Sequence, residues 1–254
     1  MTTSFIEALG LCQGPPKICI PLTARDIASL STQLLRCEAL PGDLYELRLD
    51  YYSGDIALAL QVCRKTTKRP LLCTIRTGSQ GGEAIISTDE YAGRVSELIG
   101  LYEYFQLIDI ELSAGDDIVS ELTEAAHNKG LAVVISQHSF TDTPPKQEMI
   151  DTLTHMHELG ADLPKLAVSP GSPADLFDLM SASWEASSSI GPVIAMSMGD
   201  TGRLSRIAGS LTGSCITFGA GTEPSAPGQL GAAELKNMLD ILGRGLIKEI
   251  TEYE

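Results

Sequence analysis

The chain has 254 residues, 43% hydrophobic and 20% charged, long enough for one large core and ordinary in balance for a globular protein. Its formal charge of -15, from 33 acidic and 18 basic residues, argues against nucleic acid and anionic membrane as partners. The N-terminus has no basic stretch ahead of an apolar run, and no segment reaches the roughly 18 apolar residues of a membrane span, so the chain reads as cytoplasmic.

Taken in chain order, two short apolar pieces before Lys17, ending in Gly14-Pro15-Pro16, suggest a β-hairpin that plugs the bottom of a barrel. Eight apolar or β-branched runs then read as strands: 18–22, 44–50, 70–76, 105–112, 131–138, 162–168, 192–198 and 214–220. Helical spacing fills the gaps. Between Ala24 and Leu40 it puts Ile27, Leu30, Leu34 and Leu35 on one face. Between Asp89 and Tyr104 it does the same for Tyr91, Val95, Leu98 and Leu101, with Ser87 or Thr88 as the N-cap. Eight strands alternating with helices predict a closed parallel (β/α)8 TIM barrel. A doubly wound open sheet is the rival, but it would bring a glycine-rich turn after the first strand, where Thr23, Ala24 and Arg25 stand. No linker or repeat divides the chain, so residues 1–254 read as a single barrel domain.

Barrel enzymes build their sites at the C-terminal strand ends, and polar residues gather there. Glu46, Arg48 and Asp50 recur at period two and so share a face of the second strand; an internal ion-pair network is the alternative to a ligand site. The third strand ends in Arg76 and a glycine-rich loop, the fourth bears Asp109 and Glu111, and the fifth ends at His138. Lys165 stands among apolar residues of the sixth strand. A charged ammonium is costly there, so this lysine is either paired or neutral, unless it snorkels to the strand end. A neutral amine is the nucleophile that forms an imine with a ketone. His138, one strand earlier, would supply general acid–base chemistry if it faces the same mouth.

The remaining signals are weaker. His155 and His157, two apart on a helix, point to different faces, and His127 near a helix end reads as an exposed surface residue. No histidine, cysteine or aspartate set suggests a metal. The six cysteines form no CxxC pair and read as buried reduced thiols. Met196 and Met198 lie on one face of the seventh strand, followed by a turn into Arg206. After the eighth strand, Ser225, Ala226, Pro227, Gly228 and Gln229 offer polar groups that suit a carboxylate held by an arginine.

YELRLD, LLCTIRTGSQGGE, VVISQHSF with the following Thr143-Pro144, ADLPKLAV, MSMGDTGRLSR and SAPGQ, in that order between Lys17 and Gln229, resemble type I 3-dehydroquinate dehydratases. The resemblance implies a cytoplasmic homodimer of the shikimate pathway that needs no cofactor and dehydrates 3-dehydroquinate to 3-dehydroshikimate by syn elimination. It implies Lys165 as the imine lysine and His138 as the proton-transfer group. Glu46, Arg48, Arg76, Arg206, Ser225 and Gln229 fall on substrate contacts, and Met196, Met198, Phe218 and Ala226 on the apolar pocket wall. Three positions depart from the bacterial pattern: Gln80 replaces a glutamate, Ser139 an acidic residue after the histidine, and Pro21 a serine at the end of the first strand. These are expected to shift affinity or pH profile without abolishing activity. A class I aldolase would share Lys165 but would want a phosphate site, for which SAPGQ is a poor cradle; a non-catalytic barrel would not need the lysine and histidine together.

Overall fold

The computed structural model describes residues 6–8, 10, 11 and 14–252, the side chains of 244–252 excepted. Eight parallel strands are present: β1 (Lys17–Leu22), β2 (Leu44–Arg48), β3 (Leu71–Thr74), β4 (Leu107–Glu111), β5 (Ala132–His138), β6 (Leu163–Val168), β7 (Ile194–Ser197) and β8 (Ile216–Phe218). Every expected strand is found; β1 starts one residue earlier than expected, and the other seven are trimmed by up to two residues at an end where the ladder gives way to loop. The ladder runs β7-β6-β5-β4-β3-β2-β1-β8, all parallel.

Its two ends meet through a single bridge, Val193↔Ser214, with Cys215 N–H donating to the Val193 carbonyl at 2.8 Å. The Ser214 hydroxyl takes over where strand pairing stops, accepting from Ala195 N at 3.0 Å and donating to the Ala195 carbonyl at 3.2 Å. The sheet is therefore a barrel with one thin seam.

Helices α1 (Ile27–Glu38), α2 (Ile56–Thr66), α3 (Thr88–Ile99), α4 (Asp116–Asn128), α5 (Lys146–Glu158) and α6 (Pro173–Ile190) follow the first six strands. Two short helices, α7 (Arg203–Ile207) and α8 (Gly209–Thr212), follow β7, and α9 (Ala232–Glu252) follows β8. Local sequence explains where several begin. The Asp26 carboxylate caps α1 by accepting from Ser29 N, Ser87 caps α3 as expected, and Ser172-Pro173 with Asp175 forms a capping box on α6. On α1, Leu30, Leu34 and Cys37 are buried, whereas Leu35 is 68% exposed. It was expected on the inner face, but one residue beyond Leu34 it is turned about 100° away from that stripe.

The piece expected to form a hairpin before β1 is helical where it is described. Ile6–Ala8 form a turn that ends when Leu11 N–H returns to the Ile6 carbonyl and Gly10 N–H to that of Glu7, with Gly10 at φ +64°. This is the Schellman helix stop, and Gly10 is its left-handed residue. The piece nonetheless lies where a plug should, since Ile6 and Leu11 join the apolar cluster inside the barrel.

Strand alternation sorts the core into two layers. Leu47, Cys73, Ile110, Ile135 and Leu166 face outward against the helices. Leu44, Leu72, Leu107, Val134, Leu163, Ile194 and Ile216 face inward. Cys19, Cys37, Cys63 and Cys73 are buried thiols, as expected, and Cys215 is also buried; Cys12 lies outside the described residues.

Candidate active site

Because side chains on a strand repeat every two residues, each inward column can be read upward from the barrel floor. On β2 it runs Leu44, Glu46, Arg48; on β3 Leu72, Thr74, then Arg76 just past the strand. On β4 it runs Leu107, Asp109, Glu111; on β5 Val134, Ser136, His138; on β6 Leu163, Lys165, Ala167. Five columns thus turn from apolar to polar at their second inward position. On β7 and β8 they stay apolar, through Ile194, Met196 and Met198 and through Ile216 and Phe218. All twelve expected site residues, joined by Ala167, line one cavity of about 460 Å³ open at the C-terminal end of the barrel.

Lys165 is 4% exposed and paired. Its Nζ donates to Asp109 Oδ2 at 3.2 Å, lies 3.7 Å from Glu46 Oε1 and sits 4.7 Å from the centre of the Phe218 ring. Asp109 is held from its other sides: Arg76 Nη2 lies 2.7 Å from Oδ2, and the Ser136 hydroxyl donates to Oδ1 at 2.6 Å. Burial alone would raise the Asp109 carboxyl, but Arg76, Lys165, the Ser136 hydroxyl and His138 together hold it well below the usual carboxylate range. Arg76 Nη1 also donates to Glu111 Oε1 at 3.0 Å and to Ser136 Oγ at 2.8 Å. Burial opposes its charge, yet Asp109, Glu111 and Glu46 outweigh that and raise it above the ordinary arginine value.

Arg48 is clamped by Asp50 through two bonds, Nε to Oδ1 at 2.8 Å and Nη2 to Oδ2 at 2.7 Å. The second Asp50 oxygen also accepts Glu83 N–H at 3.1 Å, tying β2 to the loop after β3. Glu46 accepts from Thr74 Oγ1 at 2.9 Å. Asp50, Asp109, Ser136 and Thr74 are thus the buried partners of the expected site residues. The period-two pattern on β2 and the acidic pair on β4 signalled the two aspartates; nothing in sequence distinguished Ser136 or Thr74 from ordinary strand residues.

His138 pairs in register with Ala167, and Ser136 with Lys165, so the imidazole stands one inward step above the lysine. Its pKa is lowered well below 6.5 by burial first, then by Arg76 and Lys165, with Asp109 opposing and Arg48 adding. This surrounding disfavours the imidazolium and favours the neutral ring. Gln80, the first departure from the bacterial pattern, accepts the His138 backbone N–H through Oε1 at 2.8 Å. Ser139 donates its hydroxyl to Asp142 Oδ1, so an acidic group still stands beside the histidine segment. Pro21 pairs with Glu46 in the β1–β2 register and is buried.

Across the cavity, Arg206 is 2% exposed with no acidic partner among the described residues. Its Nη2 donates to the Pro227 carbonyl at 3.0 Å, and its Nε is buried without a hydrogen bond. Burial lowers its pKa to about 10, so it remains cationic at neutral pH. Gln229 Oε1 accepts from Ser225 N at 2.7 Å, while its Nε2 is also buried and unbonded. Unpaired donors beside an uncompensated cation make a seat for an anion with several acceptors, such as a carboxylate.

His127, expected to be exposed near a helix end, is half-buried and meets Asp162 Oδ2 at 2.9 Å, and His155 meets Asp116 at 3.0 Å. Among the described residues no cluster of three metal-ligating side chains occurs, and no helix is long and apolar enough to cross a membrane.

The family model for type I 3-dehydroquinase matches residues 18–245. The chain belongs to the type I 3-dehydroquinase family. It is an enzyme of the hydro-lyase class. It is 41% identical over 251 residues to a 3-dehydroquinate dehydratase of Neisseria gonorrhoeae, covering 96% of this chain and 98% of that one. It is 38% identical over 250 residues to the enzyme of the same name from Bacillus licheniformis, covering 95% and 98%. Among solved structures, a type I 3-dehydroquinate dehydratase of Clostridium difficile, holding covalently modified comenic acid, superposes with a TM-score of 0.88 at 35% identity, over 92% of this chain and 95% of that one.

Proposed function

We propose that this chain, acting as a single barrel domain, dehydrates 3-dehydroquinate to 3-dehydroshikimate through a Schiff base on Lys165. One observation carries the reading: a buried lysine and a neutral histidine stand in consecutive inward steps, facing an arginine that lacks a counter-charge. The Arg206, Gln229 and Ser225 seat takes the substrate carboxylate, which sets the ketone toward Lys165. Glu46 and Arg48 meet its hydroxyls, and Met196, Met198, Phe218 and Ala226 cover its apolar face.

Lys165 must first give up a proton, and neutral His138 is the acceptor at hand. The amine then attacks the ketone, and protonated His138 returns its proton to the carbinolamine hydroxyl. Water leaves, giving a His138 that is again free to act as a base and an iminium that withdraws electrons from the adjacent C–H. His138 removes that proton. The resulting enamine expels the β-hydroxyl, to which His138 returns the proton, and one group serving both transfers fits a syn elimination. Hydrolysis of the product imine restores Lys165. Asp109, fixed by Arg76 and Ser136, stays beside the nitrogen and faces its positive charge in both ammonium and iminium forms. The resemblance extends the proposal to a cytoplasmic homodimer without metal or cofactor, with Gln80, Ser139 and Pro21 adjusting affinity and pH profile.

The test is incubation with 3-dehydroquinate and borohydride, followed by mass spectrometry of the digest. A reduced adduct on Lys165, absent from Lys165→Ala, together with the ultraviolet absorbance of the conjugated product, is expected. Absence of both adduct and product would overturn the assignment.

A further inference from the structure

The rim beside His138 carries an aromatic ring that the chemistry does not itself require. Phe140 is 44% exposed, yet its ring lies nearly parallel to the imidazole, with centroids 6.0 Å apart and planes 11° from one another. That is within the usual range of offset stacking. Beneath the ring is Gly81. A Cβ there would fall 2.1 Å from Phe140 Cζ, and the backbone has φ +79°, so only glycine leaves the seat open. Gln80, one residue earlier, holds the His138 main chain through the bond described above.

What is missing completes the case. His138 Nδ1 is buried and has no hydrogen-bond partner among the described residues. The terminal torsion of a histidine is intrinsically broad, and in many active sites a bond to one ring nitrogen fixes it. Here Gln80 fixes the backbone but not the ring, so the plane of the imidazole has to be set by packing.

We infer that Phe140, seated on Gly81, is a positioning residue that fixes the plane of the His138 imidazole and shields one of its faces from water. The inference rests on the reading of His138 as the proton-transfer group. The charged groups that act on the imidazole are Arg48 from β2, Arg76 from the end of β3, Asp109 from β4 and Lys165 from β6. A change at Phe140 leaves all four in place, so any shift in the titration of His138 reports the loss of cover.

The chain has four histidines, so the His138 ring can be assigned by NMR against His138→Gln and titrated without substrate. In Phe140→Ala the titration of His138 is expected to move up toward its ordinary 6.5. Turnover should fall about tenfold, inside the roughly 10²–10⁴ that a positioned proton-transfer group supplies, with KM changed less than about twofold. Phe140→Tyr, which keeps the plane, should restore both; Phe140→Leu, which keeps only the apolar bulk, should not restore kcat. An unmoved titration with unchanged kcat overturns the inference. So does a rise in KM with the titration unmoved, which would make Phe140 part of the substrate wall. Should the wild-type chain show no dehydratase activity, the functional reading fails, while the substrate-free titration still decides what the ring does.

Discussion

The two halves of the cavity solve the problem of buried charge in opposite ways. Along β2 to β6 and the residues just past them, the cations Arg48, Arg76 and Lys165 interlock with Asp50, Asp109, Glu111 and Glu46. Along β7 and β8 the wall is apolar, and its one buried cation, Arg206, has a carbonyl and a thioether for partners, the Met196 sulfur at 3.8 Å. Both guanidiniums are almost fully buried, but Arg76 is held above the ordinary arginine value and Arg206 is lowered to about 10. A charge whose partners are built into the fold belongs to the scaffold and the chemistry. A charge left without one is kept for something that arrives from outside.

That contrast can be broken most sharply at Asp109. Asp109→Asn leaves Arg76 and Lys165 short of their shared counter-charge, and a loss of about 3–5 kcal/mol in unfolding free energy is expected by denaturant titration. A near-neutral result would show that the interlocked wall is not needed to hold the fold. Next in size, Arg206→Ala should weaken substrate binding by about 2–5 kcal/mol, read as a KM rise of roughly 30-fold to several thousand-fold, with little loss of stability. Arg206→Lys should recover only part, because a single ammonium does not reproduce the planar donor fork. If Arg206→Ala instead unfolded the chain and spared KM, the comparison would be reversed.

The pH dependence gives a finer test. The folded His138 lies well below 6.5, so the neutral base persists as pH falls through that value, and the acid limb of kcat/KM should lie well below it. The unfolded histidine does take up its proton near 6.5. Its linkage contribution therefore makes the fold progressively less stable as pH falls below 6.5. Asp109 is depressed in the folded state, so its contribution is present above its ordinary 3.8 and fades as pH falls below that. An acid limb at 6.5 or above that tracks His138→Gln would contradict the depressed imidazole. The smallest effect belongs to the seam. Ser214→Ala strands the buried Ala195 N–H and should cost about 1–3 kcal/mol, read as a lowered Tm with KM unchanged.

Much of this was legible from spacing alone. The eight strands followed from apolar runs bounded by turns, and the facing of Glu46, Arg48 and Asp50 followed from period two. Lys165 is marked by its apolar neighbours alone. What could not be read were interactions set by neighbours distant in sequence. Ser136 matters because Asp109 and Arg76 converge on it from other strands. His127 finds Asp162 across a 35-residue separation. Leu35 failed because a four-residue pattern placed two adjacent leucines on one face, where helix geometry buries only one. The segment before β1 failed as a hairpin because Gly10 stops a helix as readily as it turns a strand. The closing of the barrel by one bridge and a serine hydroxyl left no pattern to read.

The uncompensated Arg206 also governs how a substrate arrives. The chain as a whole carries -15, so a carboxylate approaching from bulk solvent meets a repulsive far field and feels the arginine only near the mouth. At physiological ionic strength that far field decays over about 8 Å, whereas the buried seat is screened far less. Capture should therefore quicken as salt is first added, the reverse of an enzyme that draws anions down a basic funnel. Selectivity at this mouth comes from the last few ångströms of approach, where only a ligand able to present its carboxylate inward trades repulsion for a partner.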